Sequence, residues 1–158
     1  MAPFMPQRSC AAKLSIVTEP SLTGGCLCGG VRFELSEPAR AAGYCHCRRC
    51  QRRTGTASSA QVRIDGRTWR LLRGEELVQA WRHPEGGFEK CFCRECGAHL
   101  FSRNPRNHRQ MSVRMGAFDG DPGVRPSWRA FVAYAACWEP IPDDGLERLQ
   151  EGKPHVNH

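Results

Sequence analysis

The chain has 158 residues, 40% of them hydrophobic and 25% charged, with a formal net charge of +7. That length suits one domain with a core of its own, and the balance of residue types excludes a largely disordered protein. No uncharged run approaches the roughly 20 apolar residues that span a bilayer, and residues 1–20 hold no apolar stretch of signal-peptide length, so a cytoplasmic protein with no membrane partner is expected.

In chain order, residues 1–21 are rich in Pro, Ser and Ala without a sustained period and read as a flexible N-terminal segment. Residues 22–150 read as a single domain, and 151–158 as a flexible tail. Alternating apolar positions mark short strands at Val31, Phe33 and Leu35, at Val62 and Ile64, at Trp69 and Leu71, and at Met111, Val113 and Met115. Further strands are expected over 77–82, 88–92, 100–103 and 128–134, separated by Gly, Pro and Asp turn signals. Residues 45–53 fit a helical turn or knuckle, and no segment shows a long capped amphipathic helix. The fold class is therefore mostly β with little helix.

Ten cysteines in a reducing compartment point to metal or redox chemistry rather than disulfides. Cys26 and Cys28 lie among Gly24, Gly25, Gly29 and Gly30, which let the chain curl around an ion. Two soft ligands cannot close a tetrahedral site. Cys93-Arg94-Glu95-Cys96-Gly97 supplies the complement, a knuckle in which Gly97 can take the positive φ that turns amides toward sulfur. Cys26, Cys28, Cys93 and Cys96 are thus expected to hold a closed structural zinc. A redox CxxC is the lesser reading, because the βαβ setting of such sites is absent.

Cys45, Cys47 and Cys50 place three thiols within six residues, a spacing suited to one face of one ion. Three ligands leave a position open, as in catalytic zinc sites, where a substrate thiol or hydroxyl can bind and ionise. The alternative is a second structural site completed by His46, Cys91 or another residue. Arg48, Arg49, Arg52 and Arg53 could grip carboxylates through forked hydrogen bonds, with Thr54 and Thr56 adding hydroxyl donors, or they could simply form a solvated face. A thiol peptide such as glutathione fits that pattern.

Seven thiolates around two zinc ions would remove three charges and leave about +4, so the basic excess is modest. Its arginines are spread rather than gathered in an arm, and nucleic acid is not the expected partner. Cys10 lies in the N-terminal segment, and Cys91 and Cys137 are expected to pack as small hydrophobes. His83, His99 and His108 have no neighbour at ligand spacing. Trp69, Trp81, Trp128 and Trp138 are expected in the core or a pocket wall.

The stretches 25–33, 44–50 and 92–97 together resemble the glutathione-dependent formaldehyde-activating enzyme and centromere protein V family, over roughly 22–149. The resemblance implies an Mss4-like fold of antiparallel β-sheets, with Cys26, Cys28, Cys93 and Cys96 on a structural zinc and Cys45, Cys47 and Cys50 on a catalytic one. It also implies carbon–sulfur lyase chemistry on a glutathione-like adduct of formaldehyde or another small aldehyde. The family carries a His-Ile pair ahead of a late Trp, whereas this sequence reads Trp128-Arg129-Ala130-Phe131 and then Trp138, so a late polar contact is expected to differ. The alternative function is a zinc-stabilised module that binds protein or nucleic acid without catalysis; an oligomer is compatible with either.

Overall fold

Short runs of alternating apolar residues, broken by turn residues, fold into strands in the computed structural model, which describes residues 22–152. The expected N-terminal segment, with Cys10, and residues 153–158 of the expected tail lie outside the described residues. The elements are β1 (Leu22–Gly25), β2 (Arg32–Leu35), β3 (Ala41–Cys45), α1 (Arg48–Thr54), β4 (Ser59–Asp65), β5 (Trp69–Arg73), β6 (Val78–Trp81), β7 (Glu89–Cys93), β8 (His99–Asn104), β9 (Asn107–Arg114), β10 (Pro126–Ala130) and β11 (Glu147–Leu149). The fold is mostly β, as its residue pattern predicts, and α1 is the single α-helix among the described residues.

A three-stranded sheet runs β1-β2-β5 and an eight-stranded sheet runs β11-β10-β3-β4-β9-β8-β7-β6. The inward residues of both build one apolar core. Phe33 from the small sheet meets Trp69, at 6.1 Å between ring centres, and Phe118, at 5.6 Å edge-on; Trp69 in turn meets Phe101 of the large sheet at 4.7 Å. Leu35, Val62, Ile64, Leu100 and Val113 complete it, all essentially without solvent contact.

Pairing is antiparallel except at one edge, where β10 runs parallel to both β3 and β11. That pairing sets Trp128 directly beside Gly43. A Cβ at Gly43 would lie 2.2 Å from the indole, so only glycine allows the approach. It matters for the site because β3 ends at Cys45.

Several expectations are corrected. Strands β1, β3 and β11 were not anticipated, being short, Gly- and Ala-rich or polar. The strand expected over 128–134 ends at Ala130, because Phe131 takes φ 59° and starts a 3-10 turn at Val132–Tyr134. Met115 leaves its strand for another such turn. Trp81 is 51% exposed on the outermost strand and Trp138 is 65% exposed in the connection between β10 and β11, so neither packs in the core. Cys137 is exposed as well, whereas Cys91 is buried as expected.

Candidate metal centres

The β1–β2 hairpin and the β7–β8 hairpin each end in a knuckle. Gly29 (φ 74°) and Gly97 (φ 71°) adopt the left-handed conformation that reverses the chain behind each cysteine pair. The reversal aims amides at sulfur: Val31 N–H donates to Cys26 Sγ at 3.2 Å. Core packing between the sheets then brings Cys26, Cys28, Cys93 and Cys96 together, every sulfur within 4.8 Å of the others. Cys26 and Cys28 sulfurs are 3.4 Å apart, and Cys28 and Cys93 sulfurs 3.8 Å. Four sulfurs at the corners of a tetrahedron about 2.3 Å from a central zinc would stand about 3.8 Å apart, so the donor set fits that ion.

The thiols themselves call for a cation. Backbone amides of Ala98 and Cys28 bring the Cys96 thiol down to about 6. Cys28, although the Gly30 amide favours its thiolate, is pushed up to about 12 by the sulfurs of Cys26 and Cys96. One thiolate thus holds its neighbour protonated, and a divalent ion would release that conflict. No disulfide bridges the described cysteines.

The second group sits where β3 runs into α1. Cys45 ends the strand, Cys47 is the N-cap of α1, and Cys50 lies in its first turn. Cys47 Sγ accepts the Cys50 N–H at 3.4 Å, and its distance to Cys45 Sγ is 3.5 Å. All three sulfurs lie within 4.8 Å of one another, and no fourth His, Cys, Asp or Glu atom joins them among the described residues. His46 is buried and turned away, its Nε2 3.4 Å from Arg129 Nη1. Burial and then the Arg129 charge push its pKa down. Cys91, also outside the group, is pushed up to about 11 by burial. The alternative in which either residue completes a closed site is therefore not the geometry observed.

Helix α1 sorts the expected carboxylate contacts. Arg48, Arg49 and Arg52 are exposed; Arg49 is held by Glu85 at 2.6 Å, and Arg48 reaches Gln51 Oε1 at 3.3 Å. Thr54 Oγ1 donates to the Cys50 carbonyl at 2.8 Å and meets Thr56 Oγ1 at 2.7 Å. Both threonines line a cleft of about 720 Å³ whose walls also include Arg32, Ser59, His99 and Arg114. Cys45, Cys47 and Cys50 do not line it, but Ser59 pairs with Cys45 across β3 and β4.

Two arginines inside the molecule escaped notice as individuals. Arg53 is the member of the arginine run that turns inward, and Arg114 ends β9 almost wholly buried. Arg114 Nη1 donates to Ser59 Oγ at 2.7 Å and Gln61 Oε1 at 2.9 Å, and Nη2 to Ser102 Oγ at 2.8 Å. Its only signal in the sequence is an arginine closing an apolar alternation. Arg129 is likewise buried: it pairs with Asp144 at 2.6 Å and lies 4.5 Å from the Tyr44 ring centre.

No helix among the described residues is long and apolar enough to cross a membrane. A structure of a Rhodobacter sphaeroides protein is similar, at 28% identity and a TM-score of 0.50, over 63% of this chain and 89% of that one. The sequence model described as glutathione-dependent formaldehyde-activating enzyme matches residues 21–134, which carry both cysteine groups. The chain therefore belongs to the glutathione-dependent formaldehyde-activating enzyme family.

Proposed function

We propose that the protein is a zinc-dependent carbon–sulfur lyase, working in a reducing cytoplasm, that makes and breaks the adduct of a glutathione-like thiol with formaldehyde or another small aldehyde. The observation that carries this reading is the three-sulfur group at Cys45, Cys47 and Cys50, which has no fourth protein ligand among the described residues. In the forward direction the thiol sulfur bonds to the aldehyde carbon, and the thiol proton ends on the former carbonyl oxygen. Zinc bound at these residues supplies a Lewis acid with an open position that favours the ionised form of a ligand thiol.

The remaining work falls to the chain. Cys47 has two tasks, as N-cap of α1 and as one of the three ligands, so the helix start and the donor set are aligned together. Cys26, Cys28, Cys93 and Cys96 would hold a second zinc that fixes the two knuckles; Cys26 lines the cleft, but four sulfurs would leave that ion no open position. Thr54 offers its hydroxyl on the cleft wall, and Arg48, Arg49 and Arg52 lend positive potential that attracts an acidic ligand from solution.

Cys47→Ser tests the reading by zinc content and adduct turnover. Loss of one zinc per chain together with loss of turnover is expected; turnover unchanged after that loss would reject the mechanism.

A further inference from the structure

Seven buried side-chain nitrogens lack a hydrogen-bond partner among the described residues, and five of them belong to three neighbouring residues: Nε, Nη1 and Nη2 of Arg53, Nδ1 of His99, and Nε of Arg114. The three residues feel one another. Burial and then the charges of Arg53 and Arg114 push the His99 pKa down, and burial followed by the charge of Arg53 lowers that of Arg114 to about 10. Neither arginine forms an ion pair with a carboxylate among the described residues, and the partners of Arg114 are two hydroxyls and an amide oxygen. Two guanidinium groups out of water and in each other's field, with donors left over, are a costly arrangement unless an anion answers them.

The cysteines answer only part of the charge. Arg53 and Arg114 both lie in the field of Cys45, Cys47 and Cys50. Three thiolates around one divalent ion amount to a single negative charge, against two positive charges on the arginines. One unit of positive charge is left before a ligand enters, and an ionised ligand thiol would balance it, so it is the unpartnered nitrogens of Arg53, His99 and Arg114 that call for a further hydrogen-bonding group. His99 and Arg114 both line the cleft, together with the hydroxyls of Thr54, Thr56 and Ser59. Thr54 and Thr56 donate to the Cys50 and Ser58 carbonyls, so Ser59 is the hydroxyl left to join the arginine around a carboxylate.

We propose that Arg53, Arg114 and His99 form an anion-binding subsite that holds a carboxylate of the ligand whose thiol enters at Cys45, Cys47 and Cys50. The subsite rests on the lyase reading for the identity of that ligand, but not for its own existence. It moves carboxylate recognition from the outer face of α1, where Arg49 is already engaged by Glu85, to the cleft wall at His99 and Arg114, with Arg53 behind it.

S-methylglutathione, which keeps both carboxylates and has no thiol, and its diethyl ester are the probes. Each is titrated by calorimetry into the zinc-loaded protein in low-chloride buffer, with zinc per chain measured alongside. The acid is expected to bind roughly 10- to 100-fold more tightly than the ester, the range of a charge-assisted hydrogen-bond pair. Arg114→Gln should remove that preference while both zinc ions stay. Because Arg114 also ties β4 and β8 to β9, Arg53→Gln, which gives up no hydrogen bond within the fold, is the second variant and should also weaken the preference. No binding of the acid, equal affinity for acid and ester, or a preference that survives in both variants overturns the subsite. Glutathione titrated against S-methylglutathione reads the thiol separately: an arginine-dependent acid preference with no gain from the free thiol supports the subsite and sinks the lyase reading.

Discussion

The two cysteine groups should differ in what their loss does to the fold, and the difference can be worked from the chain lengths they close. The first group joins Cys28 to Cys93 across 65 positions. Treating a metal link as a chain cross-link, closure of such a loop is worth about 4 kcal/mol, whereas the local span from Cys45 to Cys50 is worth about 2 kcal/mol at most. A domain of this size shifts its Tm by about 4 °C per kcal/mol. Cys96→Ser should therefore lower Tm by about 15 °C, and Cys47→Ser by about 8 °C or less. The second estimate is an upper bound for a structural reason: serine is a good N-cap, and its Oγ can take over the Cys50 N–H that Cys47 Sγ now accepts. Calorimetric melts of the zinc-loaded wild type and both variants, with metal content measured on the same samples, give the comparison. Equal Tm losses in the two variants, or a Cys96→Ser protein that keeps both its zinc and its Tm, would refute the division into a closed fold-holding site and an open one.

Two further outcomes follow from packing and charge. Gly43→Ala should destabilise the fold by about 1–3 kcal/mol and loosen the β3–β10 edge, since its methyl would meet the Trp128 indole; a denaturant midpoint equal to wild type would disprove that contact. The buried Asp65 carboxylate is held well below the ordinary carboxylate range by hydrogen bonds from the Arg67 side chain and amide, with Arg109 adding another. Its stabilising contribution is full above the unfolded value near about 3.9 and is lost as pH falls through the lower folded value. Asp65→Asn should therefore flatten the dependence of Tm on pH below about 4 relative to wild type, the thiolate contribution being common to both proteins; parallel curves would exclude the effect.

What could be read from residues alone follows from how local each signal is. Positive φ at Gly97 is written into a CxxCG knuckle, because the turn and the amide-to-sulfur bonds are completed within five residues. Alternation at Val31, Phe33 and Leu35 and at Val62 and Ile64 found strands whose inner faces are buried. The strands that were missed have no such face to display. β3 is Ala-Ala-Gly-Tyr-Cys, its glycine chosen to admit Trp128 from a strand more than 80 positions away, and β11 is an edge strand with two exposed charged residues. Trp81 and Trp138 show the converse: an apolar side chain says that burial is favourable, not that the fold has room to provide it.

The arginine run around Cys50 is the case in which residue type was legible and direction was not. Arg48, Arg49, Arg52 and Arg53 are chemically alike, and a coil would offer all four to a ligand. Once 48–54 is a helix, 100° per residue separates them. Arg53 falls three residues after Cys50 and its guanidinium nitrogens are buried, while Arg48 and Arg52, four apart, stay exposed. The helix is only seven residues long and its cap is a cysteine rather than Ser, Thr, Asp or Asn, so no ordinary start signal announced it. The same local geometry that gathers three sulfurs at its start therefore also decides which positive charge stands in their field, so the proposed carboxylate subsite turns on Arg53 rather than on the number of arginines in the run.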